Sequence, residues 1–468
     1  MYEIDFTKPC HIHFIGIGGI SMSGLAEILL DRGFTVTGSD NAPSPLTEHL
    51  TAAGARISFP QSADNVTGDI DIVVYTAAIH PDNPEYAACE ERGLPMLTRA
   101  QLLGQIMSHY EESVAVAGTH GKTTTTGMIG EVLLSNDRKP TISIGGIFPS
   151  IGGNICVGDS DLFLTEACEY TNSFHDFYPK YNVILNIEED HMDFFKDLAD
   201  IRASFRRFAE NTADDGVLVI NGEIENVGEI TDGLPCDVIT FGRNDSCDYY
   251  PANIVHHDDG STTFVPMARG EALSEVRLFV PGEHNIANAL AAVAVCRAMG
   301  IDMEQIAGAL AAFRGTERRF EYKGKFQGAT IYDDYAHHPT EIAASLAAAR
   351  TLPHERLIVT FQPHTYTRTK AFLPEFAEVL SGADIVVLCA VYAAREDDIY
   401  GVGSEDIKRL IDERIASGAD GCRAKECHYF ATFDEAEKFL KKISSTGDLL
   451  ITMGAGDVVK VGEHILAG

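Results

Sequence analysis

Two stretches of the chain carry residue types at spacings that could hold phosphates. One is Gly118-Thr119-His120-Gly121-Lys122-Thr123-Thr124. It follows an apolar run at 113–117, so its amides would open a helix and could cradle phosphate oxygens. Lys122 would reach the β and γ oxygens of a triphosphate, and Thr123 would offer its hydroxyl to Mg²⁺. The general form of such a loop wants glycine where Val116 stands, and Gly-Lys-Thr also arises by chance. The other stretch is Gly16-Ile17-Gly18-Gly19-Ile20-Ser21-Met22-Ser23-Gly24, again after an apolar run and before a helical pattern. Its glycines would let the backbone approach a pyrophosphate, and Asp40 lies where an acidic residue would meet a ribose. That pattern suggests a dinucleotide, but Ser21 stands at the third fingerprint position, and a tight turn without a ligand has the same glycines. Two such loops imply that two phosphorylated molecules meet. A dehydrogenase has no need of the second loop, and a simple ATPase has no need of the first.

The elements that would position these loops alternate between strand and helix. Strands are predicted at 11–15, 34–37 and 70–75, with helices at 21–32 and 100–110. The middle segment has strands at 113–117, 161–165 and 182–187 and an alanine-rich helix at 286–299. The last has strands at 329–332, 356–361, 385–389 and 449–453, with helices at 340–351 and 370–380. Such alternation implies parallel, doubly wound sheets. The expected fold is α/β in three domains: a Rossmann-like domain over 1–110, a central P-loop ATPase-type domain over 111–315, and a second Rossmann-like domain over 316–468.

Composition narrows the partners. The chain has 468 residues, which suggests about three domains at about 150 residues each. Lys and Arg total 36 against 69 Asp and Glu, for a formal net charge of −33. That balance argues against nucleic acid polymers and against an anionic membrane surface. No run approaches the ~18 apolar residues that a membrane helix needs. The start of the chain has neither a basic nor an apolar leader region, so a cytoplasmic location is expected. Ten scattered cysteines, with no Cys-x-x-Cys pair, suit reduced thiols. Anionic ligands would need the field reversed locally, by amides, a few cations or Mg²⁺.

Read together, the motifs resemble those of the Mur ligases over essentially the whole chain. The markers are Gly-Ile-Gly-Gly-Ile-Ser-Met-Ser-Gly at 16–24, Gly-Thr-His-Gly-Lys-Thr-Thr-Thr-Thr at 118–126 and Glu-Ala-Cys-Glu-Tyr at 166–170. They continue with Asn-Ile-Glu-Glu-Asp-His at 186–191, Gly-Glu-His-Asn-Ile-Ala-Asn-Ala at 282–289 and Arg-Arg-Phe at 318–320. Asp-Asp-Tyr-Ala-His-His-Pro at 333–339 and Gln-Pro-His-Thr-Tyr-Thr-Arg-Thr at 362–369 complete the set. The resemblance implies a reaction in which ATP phosphorylates the lactyl carboxylate of UDP-N-acetylmuramate. The amine of L-alanine then attacks the acyl phosphate, giving an amide, ADP and phosphate. It further implies that the first domain holds the UDP-sugar, the second ATP and the third the amino acid.

The resemblance also implies roles. Gly16, Gly18, Gly19, Ser21, Met22, Ser23 and Asp40 would bind the UDP-sugar. Gly118, Thr119, His120, Gly121, Lys122, Thr123, Thr124, Asn285, Asn288 and Arg319 would bind ATP. Thr123, Glu166 and His191 would hold Mg²⁺, with two ions expected, although imidazole is an unusual Mg²⁺ ligand and His191 could instead bond substrate. Lys122, Glu166, His191, Arg319 and Asp334 would be catalytic. His337, His338, His364 and Arg368, on loops after third-domain strands, would meet the amino acid, with Arg368 as partner of its carboxylate. Asn285 would serve equally as a helix cap. Several Mur ligases carry a carbamylated lysine; residues 197–210 here offer Arg202, Arg206 and Arg207 but no lysine, so no carbamate is expected. A monomer or weak homodimer is expected. Two other readings stay open: a ligase that recycles a preformed murein tripeptide, and a non-catalytic nucleotide-binding regulator on the same fold.

Overall fold

The computed structural model describes residues 2–468 except Ala77, Ala78, Asp193, Asp258 and Arg395. The chain forms two compact units. One comprises residues 1–250, 267–271 and 289–309, and the other 251–266, 272–288 and 310–468.

The first unit holds two sheets. In the N-terminal sheet the strand order is Arg56–Ser58, Thr35–Ser39, His11–Ile15, Ile72–Tyr75 and Met96–Thr98, all parallel. His11–Ile15 is buried along its whole length, as a central parallel strand covered on both faces must be. Because sequence order reverses across it, the crevice at its C-terminal end is where a ligand fits, and the Gly16 loop lies there. The sheet also buries a polar chain. His11 Nε2 and His13 Nδ1 both meet Thr37 Oγ1, at 2.8 and 2.9 Å, and His13 Nε2 lies 3.7 Å from Glu85. Glu85 is fully buried and accepts from Ser39 Oγ, the Ser62 amide and Asn65 Nδ2. Those partners offset the cost of a carboxylate taken out of water.

In the second sheet Glu112–Ala117 lies between Leu162–Ala167 and Tyr181–Ile184, parallel to both. Thr141–Phe148 continues the sheet beyond Leu162–Ala167, and Val217–Asn221 and Asp237–Phe241 continue it on the other side. The Gly153–Cys156 strand adds antiparallel to Thr141–Phe148.

The second unit is built on a six-stranded sheet in the order Glu321–Phe326, Ala329–Asp334, Asp448–Met453, Arg356–Phe361, Ile385–Cys389 and Glu426–Phe430. All its neighbours pair in parallel except the first two strands. Two predicted elements differ. The helix expected at 370–380 is two helices, Tyr366–Ala371 and Leu373–Leu380. Pro374, at the start of the second, has no amide to continue the first. Arg368, expected on a loop, sits on the first of these helices. The alanine-rich helix starts earlier than predicted, at Glu283, so Asn285 falls in its first turn rather than before it.

Candidate active site

Three adjacent strands deliver the first group of side chains. Glu112–Ala117 runs into the Gly118 loop, Leu162–Ala167 carries Glu166 and leads to Glu169, and Tyr181–Ile184 leads to Asn186 and His191. Glu166 lies within its strand, opposite Val116, and not after it as the sequence suggested. Glycine is required in the loop: Gly118 and Gly121 have φ of +143° and +87°, and a Cβ on Gly118 would come 2.9 Å from Leu185 Cβ. Asn186 fixes the loop from the neighbouring strand end. Its Oδ1 accepts from the His120 amide at 2.8 Å, and its Nδ2 donates to the His120 carbonyl at 3.0 Å. The Glu188 amide donates to Thr119 Oγ1 at 2.9 Å.

The helix Lys122–Ser135 begins at Gly121 with no side-chain cap, and Ile20–Asp31 begins at Gly19 in the same way. The first amides of each helix therefore lack a capping side chain and suit an anion. In the N-terminal sheet, the Gly16 and Ile17 amides donate to the Ser39 carbonyl, and Gly18 donates to Asp40 Oδ2 at 2.8 Å. Asp40 therefore shapes the loop itself. Met22 and Ser23 point inward, 2% and 5% exposed, so what they can offer a ligand is backbone. Ser21 Oγ accepts from Arg99 Nη1 at 3.1 Å.

Lys122 donates to the Gly118 and Thr119 carbonyls and pairs with Glu169 at 2.9 Å. Burial works against its ammonium. Glu169, with help from Cys168 and Glu166, outweighs that and raises the pKa above the ordinary lysine range. Glu169 is 2% exposed and had no assigned role in the sequence reading, where it was simply part of a motif. Glu166 Oε1 accepts from the Gly145 amide at 2.7 Å. His191, at φ +54°, stacks at a tilt on Tyr170 with ring centroids 4.5 Å apart, and its Nε2 is 3.9 Å from both Glu169 and Asp190. Thr123 is buried in the first turn of its helix, and Thr124 follows it.

The second unit gathers the other group. Asp334 ends the Ala329–Asp334 strand and accepts from Ser345 Oγ and the Ala336 amide. Burial pushes its carboxyl up to about 6; Ser345 and Arg319 oppose that rise, and Glu341 adds to it. Arg318 and Arg319 both lie 5.0 Å from the centre of the Tyr335 ring. Arg318, at φ +60°, is the anchor: it pairs with fully buried Asp333 at 3.1 Å and donates to the Gly454 and Gly456 carbonyls. His338 caps the Pro339–Thr351 helix and is buried. His337 packs edge-on against His364, which stacks on Tyr392 and meets Arg368 Nη1 at 3.3 Å. Burial first, then His337 and Arg368, lower the His364 pKa to about 4, so this imidazole is neutral at physiological pH. Asn285 Nδ2 donates to the Pro281 carbonyl and Asn288 Nδ2 to Asn285 Oδ1, so the pair is locked at the helix start.

Three family models match in order: "Mur ligase family, catalytic domain" over residues 11–111, "Mur ligase middle domain" over 116–296 and "Mur ligase, glutamate ligase domain" over 318–456. The chain belongs to the Mur ligase family. Among its relatives, the UDP-N-acetylmuramate–L-alanine ligases of Agathobacter rectalis and Lachnospira eligens are 58% and 55% identical, each over 100% of both chains. The crystal structure of UDP-N-acetylmuramate-alanine ligase from Thermotoga maritima aligns over 98% of both chains with a TM-score of 0.81 and 30% identity. A murein peptide ligase from Psychrobacter arcticus shares the fold at a TM-score of 0.69 and 22% identity. This Mur ligase therefore has the three-part α/β architecture expected from its motifs.

Proposed function

We propose that this Mur ligase joins L-alanine to the lactyl carboxylate of UDP-N-acetylmuramate, using ATP and passing through an acyl phosphate. The observation that carries the proposal is the convergence of Lys122, Thr123, Glu166 and His191 at the ends of three adjacent parallel strands. Full-length relatives that carry this activity in their names support it. The same reading divides the labour among residues 1–110 for the UDP-sugar, 111–315 for ATP and 316–468 for the amino acid, in a cytoplasmic monomer or weak homodimer.

The chemistry brings an anionic carboxylate to an anionic triphosphate, so the protein's work is positioning and charge compensation. Uncapped amides at Gly121–Thr123 and the Lys122 ammonium receive the triphosphate. Glu169 holds that ammonium charged and aimed across the loop. Thr123 and Glu166 offer hard oxygen donors of the kind Mg²⁺ takes, and Mg²⁺ keeps several waters, so a hydroxyl and a carboxylate suffice. These two residues would hold Mg²⁺, which when bound would supply charge neutralisation at the phosphates. His191, wedged between Tyr170 and two carboxylates, orients a ligand or substrate oxygen. Arg319, Asp334, Asn285 and Asn288 take part in nucleotide binding. His337, His338, His364 and Arg368 receive the amino acid. Arg368 holds the carboxylate, while His364, its pKa lowered to about 4 by burial, His337 and Arg368, stays neutral and serves as a hydrogen-bonding partner, too weak a base to take the amine's proton.

The test is phosphate release with UDP-N-acetylmuramate, ATP and Mg²⁺ across a panel of amino acids and the murein tripeptide. Release with L-alanine, and weakly with glycine or serine, is the expected result. Release with the tripeptide alone would establish a recycling enzyme instead, and no release with any acceptor would establish a non-catalytic regulator.

A further inference from the structure

Arg99 has no place in the mechanism above, and its position is costly. It is the first residue of the helix Arg99–Met107, directly after the Thr98 cap, where a cation opposes the helix dipole. It is half-buried, and burial lowers its pKa while Cys168 and Glu166 act to restore it. The hydrogen bond its guanidinium makes is to a neutral hydroxyl, Ser21 Oγ, at 3.1 Å. Among the described residues it forms no ion pair with a carboxylate. A guanidinium has five donors, and a charge removed from water is normally paired. On stability grounds alone, a small polar residue would serve better here.

The surroundings indicate which anion completes it. Ser21 belongs to the first turn after the Gly16 loop, on the side where a diphosphate would lie. Glu166 and Cys168 belong to the strand end beside Lys122. Arg99 thus stands between the diphosphate cradle and the phosphoryl-transfer site, both within one compact unit. In UDP-N-acetylmuramate, the group that must travel from the one toward the other is the carboxylate on the sugar. We infer that Arg99 binds this carboxylate through its planar fork and holds it for attack on the γ-phosphate. The inference rests on the proposed function. The bound pair would keep the nucleophile ionised and offset its repulsion from the triphosphate.

The experiment is equilibrium binding, without ATP, of UDP, UDP-N-acetylglucosamine and UDP-N-acetylmuramate to the full chain and to its Arg99→Ala and Arg99→Lys variants. The first two ligands lack the carboxylate and report on folding and on the diphosphate cradle. The expected result is that both bind the variants within about twofold of wild type, while UDP-N-acetylmuramate weakens about 10- to 100-fold in Arg99→Ala. Arg99→Lys should fall between, because a point charge lacks the fork. Equal weakening of all three ligands would assign Arg99 to the diphosphate and overturn the inference. Unchanged binding of all three would also overturn it. If the wild-type chain itself shows no preference for UDP-N-acetylmuramate over UDP-N-acetylglucosamine, the functional reading fails before any variant is considered.

Discussion

At the residue scale, the first group of side chains offers the clearest tests. On the proposed mechanism, Lys122→Ala and Glu166→Ala would each remove a preorganised stabiliser of phosphoryl transfer, and each is expected to lower kcat about 10²- to 10³-fold. Circular dichroism should show the fold retained in both, with a lowered Tm for Lys122→Ala because it leaves buried Glu169 without its ion pair. Turnover near wild type in either variant would remove that residue from the mechanism. Asp334 gives a pH test. Its carboxyl titrates near about 6 in the folded protein because of burial, against about 3.9 in an unfolded chain. The folded state therefore holds the proton more tightly between these values. The stability it contributes is complete below about pH 4 and is lost as pH rises through about 6, an effect of about 3 kcal/mol. Asp334→Asn stays neutral throughout. Its urea midpoint relative to wild type is expected to rise between pH 4.5 and pH 7, and a constant difference would contradict the buried carboxyl.

At the element scale, close backbone approaches decide what can change. A Cβ at Gly104, in the Arg99–Met107 helix, would lie 2.0 Å from the Asp176 carbonyl oxygen. At Gly24 the obstacle is the tip of Ile155, at 2.5 Å, which can rotate away. Gly104→Ala is therefore expected to lower Tm by several degrees, a cost of about 1–3 kcal/mol or more, and Gly24→Ala by clearly less. Calorimetric melts of the two variants check this ordering. Elements were the most legible part of the sequence. Buried parallel strands such as Arg356–Phe361 and Ile385–Cys389 have the predicted bounds, because an apolar run has few other uses. The two glycine loops that open uncapped helices were legible because glycine at fixed spacing acts through local backbone. Hidden were the pairings across the chain. Glu169 meets Lys122 from 47 residues away and Arg99 meets Ser21 from 78, distances at which no periodicity operates. The break before Leu373 was missed because helical apolar spacing continues across it and Pro374 is compatible with a helix's first turn.

At the scale of the whole molecule, the net charge of −33 acts as self-repulsion that salt screens. Raising the ionic strength from about 10 to about 200 mM, where the Debye length falls below about 10 Å, is expected to raise Tm. A Tm that falls with salt would mean that local ion pairs, such as Arg356 with Asp448 at 2.6 Å, outweigh the global field. Anionic substrates enter against the same field. On the proposed assignments, short-range donors would offset it: two uncapped helix starts, Lys122, Arg319 and Arg99.

The ion pair between Lys122 and Glu169 bears on selectivity among oxyanions. A lysine already matched by a buried carboxylate gives the loop little net attraction for a small bare anion. Inorganic phosphate, abundant and also a product of the proposed reaction, would have to compete with Glu169 without the long reach of a nucleotide. The loop is thereby insulated from the commonest oxyanion around it. Inorganic phosphate is expected to be a poor competitor of ATP in wild type and a distinctly better one in Glu169→Gln, where steady-state inhibition would show the difference.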